Sequence, residues 1–120
     1  MSYDPTNIFA RILRGEIPTK KIYENEHALA FPDINPRAPV HVLVIPKGAY
    51  VSFADFSAKA SAEEIAGFFR AVGHVAHDLG LDAPGFRILA NTGADGGQEV
   101  PHFHVHIFGG RHLGPMLATS

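Results

Sequence analysis

Near the end of the chain, His102-Phe103-His104-Val105-His106-Ile107-Phe108 alternates imidazole and apolar side chains. Strict alternation suits a β-strand, whose successive side chains point to opposite faces. The pattern predicts a strand over 102–108. Three histidines would share one face at spacings of about 6.6 Å, with Phe103, Val105 and Ile107 anchored in a core on the other. Three partly desolvated imidazoles cost free energy unless a polar or anionic group satisfies them. The strand therefore belongs to a sheet with one buried face and one that meets something polar.

The remaining elements fit around that strand. Asn7 can cap a short helix through Ile8, Phe9, Ile12 and Leu13, stopped by Gly15 and barred from resuming by Pro18. Ile22-Tyr23 and Ala28–Phe31 read as short strands about the turn Glu24-Asn25-Glu26. A proline-punctuated segment from Pro32 to Pro39 precedes the almost continuous apolar strand Val40–Ile45, closed by Pro46. Ser61 and Glu64 form a capping box for a long helix carrying Ile65, Phe68, Phe69, Val72, Ala76 and Leu79 at helical spacing, with Gly80 placed to end it. Phe86–Ala90 reads as a further strand, followed by a glycine-rich loop from Asn91 to Gly97. Strands joined by short turns, with a helix between two of them, predict an α+β fold. It consists of an antiparallel sheet with helices on one side and occupies residues 1–120 as one domain.

Composition narrows the function. A formal net charge of −2 with no Lys/Arg stripe argues against a nucleic-acid surface. No stretch approaches the roughly 20 apolar residues of a membrane span. Met1 to Pro5 has neither the basic nor the apolar region of a secretory leader, and the absence of cysteine suits a reducing compartment, so the expected location is the cytoplasm. Nine Phe and three Tyr in a thinly charged chain hint at a second copy covering apolar surface.

A row of imidazoles can serve two chemistries. It could ligate a metal, but the chain has no cysteine, and the nearby acids Asp95 and Glu99 fall on a loop. It could instead handle an anion. Imidazole titrates near 6.5, so a neutral ring can attack phosphorus while a neighbour donates a proton or neutralises phosphoryl oxygens. The glycines of Asn91-Thr92-Gly93-Ala94-Asp95-Gly96-Gly97-Gln98 would let backbone amides approach that anion. The second reading is favoured, with no metal and no cofactor. On composition alone Asp33 suits a turn acid, His41 a core histidine, and Phe9, Ile12, Phe31 and Ile34 core positions. His74 and His77 lie off the helix's apolar stripe, facing solvent.

The run from His102 to Phe108 resembles the histidine-triad signature, in which three histidines alternate with apolar residues. The likeness extends upstream through Ile8-Phe9 to Ile17-Pro18, Ile22-Tyr23-Glu24, Ala30-Phe31-Pro32-Asp33-Ile34, Ala38-Pro39-Val40-His41, Val44-Ile45-Pro46-Lys47 and, after the triad, Gly109-Gly110-Arg111. In that order these blocks are similar to the Hint-type nucleotide-binding branch of the histidine triad (HIT) family. The resemblance implies a five-stranded antiparallel sheet with one long and one short helix, joined across a homodimer into ten strands. It implies hydrolysis of nucleoside 5′-monophosphate conjugates, namely purine nucleoside phosphoramidates and acyl-adenylates. The nucleophile is implied to be His104, forming a nucleotidyl-histidine that water cleaves, with His106 at the phosphate near the leaving group and His102 and His41 orienting the nucleophilic ring. Asp33 is implied to accept both ribose hydroxyls. Phe31, Ile34, Phe9 and Ile12 would enclose the base, and Asn91, Gln98 and the amides of Gly97, Glu99 and Val100 would surround the phosphate. Two features depart from the branch: Glu99 stands where many members carry a serine, and Arg111 to Ser120 lacks the tryptophan that some members extend to a partner's site. Hydrolysis or nucleotidyl transfer on dinucleoside polyphosphates, within the same superfamily, is one alternative; a non-catalytic nucleotide-binding partner protein is the other.

Overall fold

The computed structural model describes residues 2–118. Its elements are α1 (Ile8–Leu13), β1 (Tyr23–Glu24), β2 (Ala28–Pro32), β3 (Val40–Pro46), α2 (Phe53–Lys59), α3 (Ala62–Asp78), β4 (Arg87–Leu89), α4 (Gly93–Gly96) and β5 (Val105–Gly109). The five strands form one antiparallel sheet in the order β1-β2-β3-β5-β4.

The capping box of α3 is present, with the Ser61 hydroxyl accepting from the Glu64 amide and the Glu64 carboxylate accepting from the Ser61 amide. That helix packs its Phe68, Ala71, Val72, Val75 and Ala76 on the sheet face carrying Ala28, Ala30, Val42, Val44, Val105 and Ile107. At about 25 cal/mol per Å² of apolar surface removed from water, such a layer supplies the main drive for folding.

The opposite face is covered in part. Leu29, Phe31, Leu43 and Ile45 cluster there with Phe9 of α1. Asn7 caps that helix, its Oδ1 accepting from the Ala10 amide at 2.9 Å. The helices therefore lie on both sides of the sheet, not one. The cause is visible in β2 and β3: strands apolar at consecutive positions bury both faces. Two further helices join the expected pair: α2, capped by Ser52 and buried at Phe56, and the single turn α4 inside the glycine-rich segment. No helix among the described residues is long and apolar enough to cross a membrane.

The last strand is shorter than expected. It begins at Val105, so His102 and His104 precede the ladder. Continuing the register Val44↔Val105 toward the N-terminal end would set Phe103 opposite Pro46, which has no N–H to pair. The Phe103 amide donates instead to the Tyr50 carbonyl at 2.8 Å. The in-out parity survives this break, because Phe103, Val105 and Ile107 all enter the α3-side core.

Candidate active site

With the odd-numbered residues buried on one side, the even-numbered histidines are left for the side of α1. There, the connection between β2 and β3, β3, β5 with the residues before it, α1 and the segment 91–100 bound a cavity of about 370 Å³ lined by Phe9, Asp33, Arg37, His41, His104 and His106, among others. That volume suits a ligand the size of a nucleotide.

His104 is 7% exposed, and its Nδ1 lies 2.7 Å from the His102 carbonyl. A carbonyl only accepts, so Nδ1 carries the proton and Nε2 keeps its lone pair. Burial holds the His104 pKa below the ordinary 6.5, which keeps the ring neutral near pH 7. Phe9 presents an edge to the same ring, with centroids 4.9 Å apart.

His106 is arranged the other way. The Arg37 amide donates to His41 Nδ1 at 3.2 Å, and His41 Nε2 lies 2.9 Å from His106 Nδ1. Burial also lowers the pKa of His41, although Asp33, with Oδ2 3.4 Å from Nε2, opposes the shift. A neutral His41 that accepts at Nδ1 carries its proton on Nε2 and donates it to His106. His106 is neutral as well, its pKa pushed down to about 4, chiefly by burial and then by the neighbouring His104 and His41. Its own proton therefore sits on Nε2. The two triad histidines that line the cavity are thus opposite tautomers: His104 offers a lone pair, His106 an N–H.

Asp33, His41 and His106 place three potential ligand atoms within 4.8 Å of one another. The donor set nevertheless fits a metal poorly. The Arg37 amide directs the His41 proton to Nε2, where a metal would require the lone pair.

His102 lies behind the cavity, fully buried, its Nε2 donating to the Pro46 carbonyl at 2.9 Å. The resemblance implies that His102 and His41 orient the nucleophilic ring. The direct contact from His102 is its backbone carbonyl, not its imidazole, and His41 meets His106 rather than His104.

The glycine-rich segment also differs from expectation. The Gly97 amide donates to the Ala94 carbonyl, that of Gln98 to Gly93, and that of Gly93 to the Gln98 side chain. Gln98 does not line the cavity; its Nε2 ties the loop to the carbonyls of Val51 and Val100 at 2.6 and 3.0 Å. The glycines build a helical turn, with Gly93 and Gly97 at φ 66° and 75°. Among the described residues the amides of Glu99 and Val100 donate to no protein acceptor, which leaves them for an anion. Asn91, Gly97, Glu99 and Val100 do line the cavity.

Of the apolar residues expected around a base, only Phe9 lines this cavity. Phe31 is buried beneath it, edge-on to Phe9, and Ile12 borders a separate groove with Lys21 and Lys47. Ile34 is 88% exposed, in a bend between β2 and β3. Sequence reading overlooked Asn35, Arg37, Leu43 and Gly96 in the lining. Leu43 could have been found by parity: it lies two residues from His41 and pairs with His106 across the ladder.

Residues 14–113 match the HIT domain. The chain is 67% identical to an uncharacterised HIT-like protein of Azospirillum brasilense, over 99% of this chain and 98% of that one. It is 40% identical to the purine nucleoside phosphoramidase of Escherichia coli K12, over 92% of each chain. Among solved structures, a HIT family hydrolase from Clostridium thermocellum superposes with a TM-score of 0.85 at 37% identity, covering 94% of this chain and 97% of that one. On the domain match and on these likenesses in sequence and fold, the chain belongs to the HIT family.

Proposed function

We propose that the protein is a hydrolase of nucleoside 5′-monophosphate conjugates, purine nucleoside phosphoramidates and acyl-adenylates, acting through a covalent nucleotidyl-His104. The observation that carries this reading is the opposed tautomers of His104 and His106 facing one cavity. Nε2 of His104 attacks the α-phosphorus, and the P–N bond of a phosphoramidate or the P–O bond of an acyl-adenylate breaks. The nitrogen takes a proton from His106 and leaves as the amine, whereas the carboxylate leaves as the anion. The His106 Nε2–H meets the phosphoryl group beside the departing atom. As the bond to phosphorus forms, the His104 ring becomes cationic, and its Nδ1–H bond to the His102 carbonyl strengthens. That contact therefore favours the transition state over the ground state. The free amides of Glu99 and Val100 donate to phosphoryl oxygens. Asp33 accepts the ribose hydroxyls, and Phe9 borders the base. Water then displaces His104 and releases the nucleoside monophosphate. No metal or cofactor enters.

The 40% identity to a purine nucleoside phosphoramidase supports this substrate class. We further read the protein as a cytoplasmic homodimer without nucleic-acid or membrane partners; the exposed apolar edge around β4 supports the dimer.

The test is adenosine 5′-phosphoramidate hydrolysis in excess EDTA by wild type and His104→Ala. The expected result is EDTA-resistant release of AMP by the wild type, with kcat lower by several orders of magnitude in the variant. Equal rates from the two proteins would remove the nucleophile; complete EDTA sensitivity would restore the metal reading.

A further inference from the structure

The mechanism above uses the His102 carbonyl and leaves its imidazole idle, although that ring is fully buried. Both ring nitrogens are occupied. Nε2 faces the Pro46 carbonyl at the end of β3, and Nδ1 lies 2.6 Å from the Tyr3 hydroxyl. The Pro46 carbonyl can only accept, so the single proton of the neutral ring sits on Nε2. Nδ1 must then accept, and Tyr3 is the donor. Burial pushes the His102 pKa down to about 4, so this arrangement persists at neutral pH.

The ring is thereby held at two ends, by the N-terminal segment on one side and by the last residue of β3 on the other. Two residues on, the His102 carbonyl receives Nδ1–H of His104. The same N-terminal segment runs directly into α1: the Asp4 carbonyl accepts from Asn7 Nδ2 at 2.7 Å, and Asn7 caps the helix that carries Phe9 to the edge of His104.

We propose that Tyr3 is a positioning residue for the nucleophile, its hydroxyl clamping the His102 ring so that the His102 carbonyl holds His104 with Nε2 free toward the cavity. This rests on the assignment of His104 as nucleophile. Removal of the hydroxyl leaves a buried acceptor unpaired, a state that proteins avoid. The ring then gains freedom, the carbonyl is less well fixed, and a smaller fraction of His104 presents its lone pair correctly.

The experiment is Tyr3→Phe in the full chain, with two readouts. The first is the imidazole ¹⁵N spectrum, which reports the His102 and His104 tautomers without any substrate. The expected change is a broadened or shifted His104 Nδ1–H resonance and loss of the fixed His102 pattern. The second is steady-state turnover of a nucleoside phosphoramidate well below the melting temperature. Here kcat should fall about fivefold to tenfold while KM stays within twofold. Unchanged ¹⁵N resonances overturn the proposal, even if the melting temperature falls, because Tyr3 would then only brace the fold. A kcat within twofold of wild type overturns it equally. The spectrum decides the matter even for a wild type inactive on phosphoramidates, so failure of the substrate reading and failure of the clamp remain distinguishable.

Discussion

The ring of Phe9 meets that of His104 edge-on, with planes at 81°. The contact keeps water from the imidazole and so contributes to the burial that lowers its pKa. Attack on phosphorus needs the neutral ring, so kcat/KM should be flat at neutral pH. It should fall only as pH drops through a value below the ordinary 6.5. Phe9→Leu lets water closer, and the acid limb of kcat/KM should move to higher pH, back toward 6.5. An edge-to-face pair contributes about 0.5–1.5 kcal/mol, so kcat/KM on the plateau should also fall about 2- to 13-fold. A pH–rate profile checks both. A limb that stays in place would mean that Phe9 does not shield His104.

Arg37 concerns the opposite problem, too little positive charge. Both cavity members of the triad and His41 are held neutral by burial, and Asp33 and Glu99 are acidic. Among the residues lining the cavity, Arg37 is the only Lys or Arg. Arg37→Gln should lower kcat/KM for an anionic nucleotide conjugate about tenfold, the effect of one lost charge-assisted hydrogen bond. The variant should also lose part of its salt dependence, since an exposed guanidinium acts through a screened field. Initial rates measured between low and physiological ionic strength test this. A variant with the wild-type rate and salt slope would show that the guanidinium never reaches the substrate.

Much of this site was legible because its logic is parity. The alternation from His102 to Phe108 assigns three apolar residues to the α3-side core and leaves three histidines for the other side, and the assignment holds where the ladder itself fails at Pro46. The tautomers were not legible. They depend on backbone groups that only the folded chain brings into place, the Pro46 carbonyl that accepts from His102 and the Arg37 amide that donates to His41. The glycine-rich segment misled for a related reason. Glycines permit close approach of a backbone, but here Gln98 and the α4 turn consume the amides, and the free donors fall at Glu99 and Val100. Helix α2 was missed because it is short and buries a single residue, Phe56, so no periodic stripe marks it. Helices on both faces could have been inferred from β2 and β3, whose consecutive apolar residues leave neither side fit for water.

The edge of the sheet supports the last prediction. Among the described residues strand β4 pairs only with β5, so its other side has no strand partner there. Ile88 and Leu89 on that strand are 47% and 37% exposed and border an apolar groove with Phe53 and Phe69, themselves 47% and 37% exposed. An unpaired apolar edge invites pairing with another strand, and twofold symmetry lets β4 meet β4 of a second copy and close the assembly at two. A lysine at Ile88 would carry charge into that groove, while in an isolated monomer it would merely extend into water. Ile88→Lys should therefore shift the protein from dimer to monomer in light scattering at micromolar concentration. The monomer should keep its secondary structure by circular dichroism, because Ile88 lies outside both core clusters. Wild type that scatters as a monomer, or a variant that remains a dimer, would exclude β4 as the joining edge.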